Sequence, residues 1–174
     1  MDTLQLERFL RSDKVARKSF MGVYACDRLP TSFIKNRPKG FIVNTHPSSL
    51  PGEHWLAMYL ELDKLTFFDS FGHPPSFYPY NIAKFINRNV NTCIYNDRQL
   101  QSKNEVTCGE HCLFYLHNAS KGLVLNDILR LYTEDAFQND VMVKQFIRAK
   151  IPSRMNNHPY NPYHFCQKCC RLEK

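Results

Sequence analysis

Residues 54–71 read HWLAMYLELDKLTFFDSF, and this stretch decides the fold class. In 54–62, Trp55, Ala57 and Tyr59 alternate with Leu56, Met58 and Leu60, so both faces of an extended segment are apolar. That pattern suits a strand buried on both sides of a sheet. LTFFDSF (65–71) reads as a second strand, and Asp63-Lys64 marks a tight hairpin between the two, although the usual glycine is missing. FIVNT (41–45) supplies a third strand, and TCIYNDRQLQ (92–101) contains a fourth.

Helical patterns lie on either side of these strands. Leu4, Leu6, Phe9 and Leu10 give residues 3–11 an amphipathic face, and IAKFINRNV (82–90) reads as a second helix. From Cys108 to Leu116, the residues Cys108, Cys112, Leu113, Tyr115 and Leu116 recur at helical spacing. Asn126 is placed to cap a helix running through Tyr132, and Asn139 or Asp140 another running towards Ala149. The segment 20–39, rich in Pro, Gly and basic residues, reads as irregular. GHPPSFYP (72–79) is excluded from regular structure by its three prolines. Past Pro152 the chain becomes Asn/Pro-rich and is expected to lie over the surface. Strands gathered centrally, with helices before and after them, make an α+β domain.

A length of 174 residues suits a single domain, and 43% hydrophobic content supplies its core. No stretch is apolar for long enough to cross a bilayer, and the charges in MDTLQLERFLRSDKVARKSF argue against a signal peptide. A soluble, intracellular protein is expected, not a secreted one. Its seven cysteines, an odd number, then fit reactive, metal-binding or core roles better than structural disulfides. The net charge of +7 is unevenly spread: residues 1–40 hold nine Lys/Arg against four acids, and 141–174 seven against one. Basic ends of this kind suit either a polyanion such as nucleic acid or plain solvation.

Thiol hydrolysis needs a thiolate, which an adjacent imidazole and a helix N-terminus both favour. Cys108 stands where the polar loop SKNEVT (102–107) passes into an apolar helix, so it falls in the first turn. Gly109 after it is expected to leave room for a substrate backbone. His54 opens one strand of the hairpin and Asp69 lies on its partner, where a carboxylate can orient the imidazole. Gln101 precedes Cys108 by seven residues, and its amide suits a developing oxyanion together with the Cys108 N–H. Cys112, one turn deeper on the same face, reads as core. His111 has no evident acid partner, and His46, His73, His117 and His158 belong to no constellation. His164, Cys166, Cys169 and Cys170 are residue types that zinc accepts, but no second half of a site is evident, and no metal is expected.

The ordered set His-Trp, Asp-x-Phe-Gly and Gln-x6-Cys-Gly is similar to the adenain family of adenovirus maturation proteases. GEHWLAMYLELDKLTFFDSFG (52–72) and QSKNEVTCGEHCLFYLH (101–117) carry the resemblance, with support from SFMGVYACDRLP (19–30) and FIVNT. It covers roughly residues 5–130, and the Gln-to-Cys interval resembles this family more than its SUMO-deconjugating cousins. The resemblance implies a mixed β-sheet packed between helices, with a catalytic core at about 40–132 and an irregular Cys-rich tail at 152–174. It implies His54 as base, Cys108 as nucleophile, Asp69 as acid and Gln101 as oxyanion donor. The family carries Glu where this chain has Asp69, a replacement many cousins share, and the chain is shorter than family members.

By the same resemblance, the function is a cysteine endopeptidase that cleaves after small residues such as Gly in viral or element-encoded structural precursors; a monomer is expected, with no cofactor required for the chemistry. The element could be a Maverick/Polinton-type transposon; the location is virion or host nucleus and cytoplasm. DNA and an activating peptide are the implied enhancers. Cys93 resembles that peptide's attachment point, although its interval to Gln101 is shorter than in the family, and a half-buried strand thiol is the other reading. Two alternatives remain open: a protease that deconjugates a ubiquitin-like modifier, and a DNA-binding structural protein with a dead site.

Overall fold

The hairpin at 54–71 forms the middle of a five-stranded sheet in a computed structural model that describes residues 1–150. The strands are β1 (Phe20–Ala25), β2 (Lys39–Asn44), β3 (Trp55–Leu60), β4 (Lys64–Phe68) and β5 (Thr92–Tyr95), lying side by side in chain order. β2, β3 and β4 are antiparallel, while β1 and β5 run parallel to their neighbours at the edges. The sheet is therefore mixed, as expected. Helices α1 (Thr3–Ser12), α3 (Cys108–Ser120), α4 (Leu125–Leu129) and α5 (Ala136–Lys150) share a core with one face, and α2 (Tyr80–Asn89) covers the other.

The two-faced alternation of β3 is the cause of this layering. Ala57 and Tyr59 enter the core shared with α1, α3 and α5, whereas Leu56, Met58 and Leu60 pack against Ile82, Phe85 and Ile86 of α2. β4 repeats the division: Phe68 stacks on Tyr115 of α3 at 4.6 Å, and Leu65 and Phe67 face α2. Each fully buried side chain of this size contributes about 1.5–3 kcal/mol. α3 lies buried on every side from Cys108 to Ala119, so its polar residues Glu110, His111 and His117 sit inside the protein.

Three sequence expectations are corrected. Residues 20–25 are a strand, not irregular. β1 pairs with β2 from Phe20↔Gly40 to Ala25↔Asn44, with a register shift between Phe20 and Gly22. Only a partner strand makes such a half-exposed, bulged edge legible. The helix expected from Asn126 to Tyr132 is the shorter Leu125–Leu129. α5 begins at Ala136 rather than beyond Asn139 or Asp140, because Asp135 caps it: its Oδ1 accepts from the N–H groups of Phe137 (2.8 Å) and Gln138 (3.3 Å). Asn139 and Asp140 are buried and face residues 100–107 instead. No helix among the described residues is long and apolar enough to cross a membrane. The expected tail, with His158, His164, Cys166, Cys169 and Cys170, lies outside the described residues.

Candidate active site

Antiparallel pairing sets the beginning of β3 beside the end of β4. His54 immediately precedes β3 and Asp69 immediately follows β4, so fifteen residues of separation collapse to a 2.7 Å bond from His54 Nε2 to Asp69 Oδ1. Asp69 is fully buried and its carboxylate is saturated with donors. Oδ1 also accepts from Phe71 N–H at 3.1 Å. Oδ2 accepts from the Tyr78 hydroxyl at 2.7 Å, His73 N–H at 2.9 Å and His73 Nδ1 at 3.1 Å. Burial opposes the charge, but the His54 bond and the remaining donors hold the carboxyl well below its ordinary range.

The backbone around Asp69 is held with equal care. Asn96 Oδ1 accepts from Asp69 N–H at 2.9 Å, and Asn96 Nδ2 donates to the Asp69 carbonyl at 2.6 Å. The chain then turns at Gly72, whose φ of +78° and contact with Arg98 leave no room for a side chain: a Cβ there would lie 2.7 Å from the Arg98 carbonyl carbon. This turn sends His73 and Tyr78 back to the carboxylate. The ring of Phe71 lies 5.1 Å from that of His54, and the Tyr78 ring stacks at 6.2 Å.

The other nitrogen of His54, Nδ1, is buried without a well-formed hydrogen bond among the described residues. The second group that interacts with His54 is Cys108. Burial favours the neutral imidazole, yet the bond to Asp69 and the interaction with the Cys108 sulfur together push the His54 pKa well above its ordinary value. Cys108 is the first residue of α3 and is buried, with Thr107 in the N-cap position. Cys112 lies one turn below. Its thiol donates to the Trp55 carbonyl at 3.3 Å, and burial pushes its pKa well above the ordinary thiol value. Such a thiol is a packing group.

Gln101 is fully buried. Its Oε1 accepts from the Ser70 hydroxyl at 2.8 Å, its Nε2 donates to the Glu105 carbonyl, and its own N–H donates to the Ser70 carbonyl at 3.0 Å. Ser70 follows Asp69 in the chain, so one turn holds the acid and orients the amide. Gly109 does not face open space as expected: a Cβ would meet Leu6 at 3.2 Å and Met1 at 3.3 Å, so the missing side chain admits α1. Cys93, on edge strand β5, is half-buried, and burial pushes its thiol up to about 11.

Several partners escaped the sequence reading. His73 shares Asp69 with His54, His111 pairs with Asp140 at 3.0 Å, His117 with Asp13 at 2.8 Å, and His46 with Glu53 at 2.8 Å. The acids of His111 and His117 lie 29 and 104 residues away in the chain, with no spacing signal to reveal them. Asp-x-x-x-His at 69–73 and His-x6-Glu at 46–53 are the pairs close enough in the chain to carry a spacing signal.

A family model described as adenovirus endoprotease matches residues 20–157. A protease of Ovine adenovirus D serotype 7 (isolate OAV287) is 32% identical over 111 residues, covering 56% of this chain and 55% of its own length. A protease of Bovine adenovirus 4 is 29% identical over 153 residues, covering 80% of this chain and 70% of its own. The chain thus matches little more than half the length of the ovine virus protein. In fold, a crystal structure of an ASFV protease superposes with a TM-score of 0.57 at 15% identity, covering 82% of this chain and 66% of that one. The matched residues span all five strands, the His54–Asp69 pair and the helix that begins at Cys108, and by that match the chain belongs to the adenovirus endoprotease family.

Proposed function

We propose that the chain is a cysteine endopeptidase in which Cys108 is the nucleophile, His54 its base, Asp69 the group that holds the imidazole, and Gln101 an oxyanion donor. The observation that carries this reading is His54 held at Nε2 by a buried carboxylate while it also interacts with the sulfur of Cys108. In the first half-reaction the sulfur bonds to the scissile carbonyl carbon, and the proton held on His54 passes to the leaving amine as the C–N bond breaks. Water then attacks the thioester with His54 as base, releasing the new carboxylate and restoring the thiol. The oxyanion formed in each half-reaction is met by the Cys108 backbone N–H and the Gln101 amide hydrogen not directed at Glu105.

The proposed substrates are viral or element-encoded structural precursors cut after Gly. A buried sulfur favours a residue without a side chain beside it, and the groove bordered by Tyr24, His46, Leu50, Glu53 and Trp55, next in the chain to His54, is proposed to take the preceding residues. A monomer is proposed. DNA binding through the basic ends is a further proposal, tested by a steep fall in affinity with added salt. Stimulation by a cysteine-containing peptide that is lost in Cys93→Ser would support the attachment role of Cys93.

A Gly-Gly vinyl-sulfone probe is expected to label the wild type and Cys112→Ala but not Cys108→Ala. Labelling that survives in Cys108→Ala and vanishes in Cys112→Ala overturns the assignment. Hydrolysis of precursor peptides alongside ubiquitin-like conjugates then separates an endopeptidase from a deconjugating enzyme.

A further inference from the structure

The segment between Gln101 and Cys108 has no regular secondary structure, yet it spaces the proposed oxyanion donor from the proposed nucleophile. Its hold comes from α5. Asp140, fully buried, accepts from the Ser102 N–H at 3.0 Å, from the Thr107 hydroxyl, and from His111 Nε2 at 3.0 Å. A single carboxylate therefore ties both ends of the segment to the first turn of α3. The neighbouring Asn139 donates to the Leu100 carbonyl at 3.1 Å, and Lys144, one turn on, pairs with Glu105 at 2.7 Å. Glu105 is also the residue whose carbonyl receives the Gln101 amide.

Thr107 shows what this arrangement does for the site. It occupies the N-cap position of α3 but makes no side-chain cap bond, because its hydroxyl is committed to Asp140. The first turn of α3 thus takes no cap from the Thr107 side chain, and an uncapped helix N-terminus favours an incoming anion. Burial opposes a charge on Asp140, but the bonds from His111, Thr107 and Ser102 hold its carboxyl below the ordinary range. His111 is fixed in turn by Tyr132, with Nδ1 3.3 Å from the hydroxyl and the rings stacked at 5.6 Å.

We propose that the Asp140–His111 pair, with Lys144, is a positioning device for the oxyanion site: it sets the Gln101 amide and the Cys108 N–H relative to each other without touching substrate. This rests on the catalytic reading of Cys108 and Gln101 given above. It separates two acid–imidazole pairs in one protein, with His54–Asp69 serving the sulfur and His111–Asp140 serving the oxygen.

The test compares Asp140→Asn, Gln101→Ala and their double variant in the full chain, with a peptide substrate ending in Gly-Gly before a fluorogenic leaving group. Iodoacetamide alkylation of Cys108, which forms no oxyanion, is the control. Asp140→Asn is expected to lower kcat by about 10–100-fold, as displacements near 1 Å do, with KM and alkylation within about twofold of wild type. The double variant is expected to be no slower than Gln101→Ala, because the two residues act on one interaction. Unchanged kcat, an equal loss of alkylation, or additive losses in the double variant overturns the proposal. If Asp140→Asn does not fold, Thr107→Val and Lys144→Ala are read by the same criteria and decide it. A Gln101→Ala variant with wild-type kcat overturns the catalytic reading itself, and alkylation of Cys112 in place of Cys108 does the same.

Discussion

Replacing Asp69 by Asn tests the centre of this site, because the geometry leaves the amide no good orientation. The carboxylate accepts two donors at Oδ1, from His54 and Phe71, and three at Oδ2, from the Tyr78 hydroxyl and from the backbone N–H and ring Nδ1 of His73. An amide keeps one acceptor, so it will set its oxygen toward the three and turn its NH2 toward His54 and Phe71. The Phe71 N–H then faces a donor, and His54 can accept from the NH2 only by giving up its Nε2 proton. That places the remaining proton on Nδ1, towards Cys108, which is the wrong tautomer for a base. kcat/KM is expected to fall by about 10²-fold or more, the scale of lost acid–base assistance. Stability is expected to fall by about 2–5 kcal/mol, from an unpaired buried donor and a broken buried charge pair.

The pH dependence of that stability loss has a definite sign. The Asp69 pKa is depressed, so its contribution is present above the unfolded value of 3.8 and is lost as pH falls through the folded value. The His54 pKa is raised, so its contribution is complete below the unfolded value of 6.5 and is lost as pH rises through the folded value. The stability gap between wild type and Asp69→Asn should therefore be widest between about pH 4 and 6.5 and narrow on either side. Urea unfolding across this range, together with the pH profile of Cys108 alkylation, measures it. A gap independent of pH, or a variant with wild-type kcat/KM, would refute the reasoning.

Three other perturbations have expected outcomes. Gly72→Ala forces a side chain into a left-handed turn against the Arg98 backbone, and chemical denaturation should register a loss of at least about 1–3 kcal/mol. Asn96→Ala removes both bonds to the Asp69 main chain, so kcat is expected to drop while the Cys112 thiol stays protected from alkylation in the folded protein. Tyr78→Phe deletes one donor from the Asp69 carboxylate and leaves its ring against His54; a loss of stability of about 1.5–3 kcal/mol by thermal unfolding is expected, the scale of a hydrogen bond to a charged group.

Much of this arrangement was legible in the residues alone. Local pattern determined the β3–β4 hairpin, because alternating apolar side chains can be satisfied only between two layers. It also placed Cys108 at the start of a helix, where a polar loop meets an apolar run. The pairing of His54 with Asp69 was open to inference because a hairpin converts sequence separation into proximity by a simple rule. The tertiary structure decided what no local rule carries. Phe20–Ala25 is a strand because β2 lies beside it, and Gly109 makes room for α1 rather than for substrate. Asn139 and Asp140, each plausible as a helix cap from sequence, are committed to the segment before Cys108, since a short polar side chain takes whichever partner burial brings to it. His111 and His117 lacked partners on paper for the same reason. A buried imidazole needs an acceptor, but chain folding over 29 or 104 residues chooses which one.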